Sequence, residues 1–195
     1  MRKRISRTSP RPIHPKVALG HVHLKVANLE RALDFYCGVL GIELTQRLGD
    51  SAAFISAGGY HHHTGLNTWE SAGGSPPPAG ATGLYHLAIL YPTRADLADA
   101  LHRVLAAGIP LEGASDHGVS EAIYLRDPDQ NGVELYWDRP REAWPRTGDG
   151  SLAMGTHPLD LQALLHESAD SPLQQQMAKP GDGANCGPLY APLLV

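Results

Sequence analysis

A chain of 195 residues with 42% hydrophobic content and a formal charge of −4 holds enough apolar material for one ordinary domain plus tails. Its mild acidity argues against the broad basic field of a nucleic-acid binder, and no run of about 18 apolar residues is present to span a membrane. Cys37 and Cys186, the two cysteines, make no disulfide framework and suit a reducing cytoplasm.

The first sixteen residues are basic and proline-bearing, with no apolar stretch behind them. They predict a flexible tail over 1–16, not a secretory signal. His21-Val-His-Leu-Lys-Val26 alternates as a strand, and Leu29, Ala32, Leu33, Tyr36 and Leu40 then recur at helical spacing. Gly41-Ile42 ends that helix. Strands are predicted over Ile42–Arg47, Ala52–Ser56 and Tyr60–Trp69, divided by Gly49-Asp50 and Gly58-Gly59.

After the linker Gly73–Pro78 the same order returns. His86–Leu90 reads as a strand, Arg94–Ala107 as a helix closed by Gly108-Ile109, and Leu111–Ala114, Glu121–Arg126 and Gly132–Asp138 as strands, with Asp127–Asn131 as a turn. An internal repeat dictates architecture before single motifs do. The prediction is an α+β domain over 17–140, with modules of about 17–72 and 82–140. Two βαβββ modules would form one curved eight-stranded mixed sheet, an open barrel with helices on its convex side. An extension over 141–195 would carry a short amphipathic helix near 158–166 and then be poorly ordered.

Strand alternation puts Val22, Leu24 and Val26 on the helix side of the first strand and turns His21, His23 and Lys25 toward the cup. In Tyr60–His63, alternation lets either His61 with His63, or His62 alone, look inward. His21 and His86 begin equivalent strands of the two repeats. Glu134, between Val133 and Leu135, needs a partner; an ion pair with Arg126 or Lys25 is the plain structural alternative. Two imidazoles and one carboxylate with open positions form the set used by non-haem Fe(II) oxygenases.

Gly20–Val26, Phe35-Tyr36, Leu40-Gly41 and Asp127-Pro-Asp-Gln-Asn-Gly-Val-Glu-Leu135 resemble the vicinal oxygen chelate superfamily over roughly 17–140. Ala57–Trp69 and Asp138–Pro145 are similar to catechol-2,3-dioxygenase-type members. The resemblance implies metal ligation by His21, His86 and Glu134, with Fe(II) first and Mn(II) second. It implies catalytic roles for His62, Tyr124 and His117, with His61 or His63 replacing His62 if the strand register differs by one. The implied reaction is extradiol cleavage of a catechol-like aromatic, with substrate and O2 both at the metal. A glyoxalase-type isomerase, a fosfomycin-resistance-like thiol transferase and a metal-free binding protein are the alternatives; Tyr60–Trp69 lacks the fourth-strand carboxylate usual in the isomerases. The expected partners are a small aromatic substrate and O2, without nucleic acid or membrane. Many relatives have four modules where this chain has two, which points to a homodimer. Gln130 stands where the family turn usually has glycine, so strain or a shifted turn is expected there.

Overall fold

A computed structural model describes residues 11–167, which divide into two compact units. Residues 11–83 with Asp127–Asn131 form the first, and 84–126 with 132–167 the second. Most of the tail predicted over 1–16, and the stretch predicted to be poorly ordered at the C-terminal end, lie outside the described residues.

In the first unit the order is β1 (Val22–Lys25), α1 (Leu29–Leu33), β2 (Glu43–Leu48), β3 (Ala52–Ser56) and β4 (Thr64–Asn67). The Asn28 side chain accepts from the Arg31 N–H to start α1, which runs on as a wide π-helical turn over Asp34–Val39. Gly41, at φ 78°, supplies the left-handed conformation that lets the chain leave. The sheet order is β1-β4-β3-β2, with β1 and β4 parallel and the other pairs antiparallel. Leu24, Val26, Leu29, Ala32, Phe35, Tyr36, Ile55 and Leu66 are buried. The turn Asp127–Asn131 belongs to this unit through its side chains. Tyr36 donates its hydroxyl to Asp127 Oδ2 (3.0 Å), and Asp129 Oδ1 accepts from the Ala27 N–H (3.1 Å) and from Arg31 (2.5 Å). Burial, then the charge of Asp127, pushes the Tyr36 hydroxyl far above its usual range and keeps it a donor.

The second unit repeats the order with β5 (Leu87–Leu90), α2 (Arg94–Ala106), β6 (Leu111–Asp116), β7 (Ser120–Arg126) and β8 (Gly132–Asp138), then adds β9 (His157–Pro158) and α3 (Leu161–Glu167). Thr93 and Asp96 form a reciprocal capping box at the start of α2. The sheet order is β5-β8-β7-β6-β9, with β5 and β8 parallel. Leu164 of α3 is fully buried, and α3 packs on α2. Arg94 binds Glu121 (2.7 Å) and Glu167 (2.5 Å), while Arg139 binds Asp116 and Glu121, so charge ties α2, α3, two strands and the segment after β8 together.

The α+β class and the two modules stand as predicted, but among the described residues hydrogen bonding divides the strands into mixed sheets of four and five instead of joining eight in one. The fourth strand is Thr64–Asn67 only, which corrects the longer Tyr60–Trp69. The rings of Tyr60–His63 pack on one another and His63 binds Ser56, while the His63 backbone alone continues toward the neighbouring strands, its N–H donating to the Ile55 carbonyl and its carbonyl accepting from the Val22 N–H. Helix α3 starts at Leu161 because Asp160 caps it, its Oδ1 accepting from the Ala163 N–H. Among the described residues no helix is long and apolar enough to cross a membrane.

Candidate metal centre

Register brings the second unit's polar residues together. Ala88 of β5 and Tyr124 of β7 both lie opposite Glu134 of β8, and His86 stands just before β5. Gly132 makes the approach of His86 feasible: a Cβ there would collide with the Tyr85 carbonyl oxygen and lie 3.0 Å from the Cα of His86. His86 Nε2 then sits 2.8 Å from Glu134 Oε2. Tyr124 is 3.2 Å from Glu134 Oε1 and 2.7 Å from His117 Nε2, while His117 Nδ1 is 2.8 Å from the Gly155 carbonyl oxygen. These contacts form one hydrogen-bonded line, His86–Glu134–Tyr124–His117–Gly155. Burial first, then the Glu134 charge, pushes the Tyr124 hydroxyl up to about 12, so it keeps its proton at neutral pH. Beside this line runs a cleft of about 410 Å³ lined by Tyr85, His86, Glu112, Tyr124, Arg126 and Gly132, among others.

The plain ion-pair alternatives for Glu134 have other engagements. Lys25 pairs with Glu70 (3.1 Å), and Arg126 Nε donates to Glu112 (2.8 Å). Glu134 keeps only 12% side-chain exposure, and His86 Nδ1 is buried with no hydrogen-bond partner. Two donors each about 2.1 Å from one metal, at right angles, lie about 3 Å apart, so the 2.8 Å imidazole–carboxylate pair suits a divalent transition metal. Among the described residues, no group of three or more His, Cys, Asp or Glu forms a ready metal cluster.

His21 and His62 belong to the first unit, with ring centroids 4.4 Å apart. Because Tyr60–His63 precede β4, strand alternation does not govern them, and their contacts separate their parts. His62 meets His21 and Phe54, His61 shares a proton with His62 between Nδ1 atoms 2.7 Å apart, and His63 binds Ser56 (2.8 Å). Desolvation, followed by the charge of His21, holds His62 below the usual histidine value. His23 lies over Gly65, where a Cβ would be 2.9 Å from its ring, and its ring neighbours Phe54 and Trp69. Sequence reasoning missed Gly65, Gly132 and the Gly155 carbonyl. A glycine inside a strand, as in Thr64-Gly65-Leu66, was the available signal for the first.

Residues 18–135 match the Glyoxalase/Bleomycin resistance protein/Dioxygenase superfamily. Catechol-2,3-dioxygenase of Bacillus subtilis (strain 168) is 42% identical over 158 residues, 81% of this chain and 54% of that protein, so the chain spans about half the relative's length. Biphenyl-2,3-diol 1,2-dioxygenase 2 of Rhodococcus globerulus is 31% identical over 169 residues, 83% of this chain and 86% of that one. Among solved structures, a glyoxalase/dioxygenase from Nostoc punctiforme shares the fold at TM-score 0.55 and 19% identity, over 69% of this chain and all of that one. Lactoylglutathione lyase from Agrobacterium tumefaciens aligns at TM-score 0.50 and 26% identity, over 64% of this chain and 96% of the other. The paired βαβββ modules and the match over 18–135 agree: the chain belongs to the Glyoxalase/Bleomycin resistance protein/Dioxygenase superfamily.

Proposed function

We propose that this chain is a cytoplasmic extradiol ring-cleaving dioxygenase that opens a catechol-like aromatic with O2. The observation that carries the proposal is the line from His86 through Glu134 and Tyr124 to His117; the names of the two dioxygenase relatives support it. His86 and Glu134 are assigned as ligands of a divalent metal, Fe(II) first and Mn(II) second, and His21 as the third by its equivalent place in the first repeat. Such a metal would supply Lewis-acid chemistry toward the substrate hydroxyls and O2.

The chain's own residues do the rest. His62, held neutral at pH 7 by its lowered pKa, accepts a proton from a substrate hydroxyl. Tyr124 keeps its proton and turns its hydroxyl onto the substrate oxygen where negative charge develops. His117 holds the Tyr124 hydroxyl from behind. The cleft beside His86 receives a ring substituent, with Glu112 and Arg126 at its wall.

Full chain loaded anaerobically with Fe(II) and mixed with a panel of catechols at an oxygen electrode is expected to consume O2 and yield a yellow ring-opened product. No uptake with any catechol would overturn the proposal. An isomerase is the second reading, supported by the Agrobacterium lyase. It would act without O2, and Glu70, the carboxylate nearest β4, is already held by Lys25. Sizing of the native protein checks the expected homodimer.

A further inference from the structure

We propose that residues 145–158 act as a strap that fixes the imidazole of His117 in its Nδ1–H tautomer, making His117 a positioning residue for Tyr124. The role of Tyr124 in this statement rests on the function proposed above; the tautomer does not.

The strap is held at several points. Strand β9 pairs with the end of β6, Asp116 opposite His157 and Ser115 opposite Pro158. The Gly155 N–H donates to the His117 carbonyl (3.1 Å), and the Ala153 N–H to the Pro145 carbonyl (2.9 Å). Gly118, at φ 76°, lets Pro145 close over the loop, since a Cβ there would meet Pro145 Cγ at 2.9 Å. The His117 loop is fixed from its other side: Arg139 grips Asp116, and Asp116 Oδ1 accepts from the Gly118 N–H (2.8 Å).

A carbonyl oxygen has no proton to give, so at 2.8 Å the His117 Nδ1 must be the donor to Gly155. In the neutral ring Nε2 then carries only a lone pair, and Tyr124, 2.7 Å away, donates to it. Tyr124 has one proton and two acceptors in reach, and the Glu134 contact is the longer at 3.2 Å. The strap therefore draws the resting hydroxyl proton toward His117 and leaves the longer contact to Glu134 Oε1 the weaker of the two, while Glu134 Oε2 stays 2.8 Å from His86 Nε2. When a substrate oxygen arrives, rotation about the phenol C–O bond is enough to redirect the proton.

Long-range proton–nitrogen NMR of the full chain with nitrogen-labelled histidine, stripped of metal and again with diamagnetic zinc, reads the tautomer directly. The expected result is a protonated Nδ1 and a pyridine-like Nε2 on His117 in both; a dominant Nε2–H tautomer overturns the proposal. Amide exchange supplies a second reading. His117→Asn retains a donor at the Nδ1 position, whereas His117→Ala does not. Exchange at Gly155 and His157 is expected to rise about fivefold in the alanine variant and less than about twofold in the asparagine variant. Equal exchange in both variants also overturns it. Neither readout needs turnover, so an enzyme inactive on catechols but carrying the Nδ1–H tautomer would defeat the function and leave the strap standing.

Discussion

The two modules place different residues at the same three positions of one sheet face. In the first, His23 of β1 and Phe54 of β3 flank Gly65 of β4. In the second, Ala88 of β5 and Tyr124 of β7 flank Glu134 of β8. Where the middle residue is small, a neighbouring ring lies across it; where it is a carboxylate, one neighbour shrinks to alanine and the other gains a hydroxyl that bonds to it. The result is an aromatic shelf on one unit and a hydrogen-bonded acid on the other. A repeat thus dictates where side chains stand and leaves open what they do. His21 and His86 show the same divergence: the His21 ring packs at a tilt against His62, while His86 faces Glu134.

The sharpest way to break the contrast is through its glycines. Gly132→Ala drives a methyl into backbone at Tyr85 and His86, which cannot swing aside; a loss of about 3 kcal/mol in denaturant unfolding is expected, with loss of metal retention. Gly65→Ala meets only the exposed His23 ring, so about 1 kcal/mol or less is expected, with a change in Trp69 fluorescence as the ring moves. Equal losses from the two would refute the account of both seats. Tyr124→Phe copies the first module's aromatic into the second and removes the hydroxyl alone; kcat should fall about 100-fold while the fold survives.

Smaller effects test the turn and the charges. Gln130 sits at φ 66°, in the left-handed region that costs a side chain about 1 kcal/mol, so Gln130→Gly should stabilise by about that amount in thermal unfolding. The expectation of strain at Gln130 is realised as this positive φ, with the rest of the turn held by Asp127, which accepts from the Asp129 and Asn131 N–H groups. Arg139 holds the Asp116 carboxyl below its usual value. A folded pKa below the unfolded one means this group adds stability above about pH 4 and loses it as pH falls through its folded value. Asp116→Asn should therefore lower stability at neutral pH, approach the parent protein at low pH, and so flatten the acid side of a stability–pH curve.

Much of the architecture was legible because it is local. Alternation in His21–Val26 named the buried face, Gly41 ended the first helix, and the recurrence of strand, helix and three strands named the modules. Those signals live within a few residues, where sterics and periodicity act. Tertiary structure alone decided the division into two sheets, since periodicity tells which face a residue occupies and not which strand lies beside it. It also set β4 at Thr64–Asn67, with the rings of Tyr60–His63 gathered on one another before it.

For the site, the sequence by itself determined that His21 and His86 begin equivalent strands and that Glu134 sits inside the last one, because spacing within a repeat is a local property. The sequence had no means of pairing Tyr124 with His117, or His117 with a carbonyl 38 residues further on. Nor could it say that Gly132, read as the first residue of a strand, is a seat for His86. Hydrogen bonds of that kind depend on distances between segments far apart in the chain, and only the packed fold sets those distances.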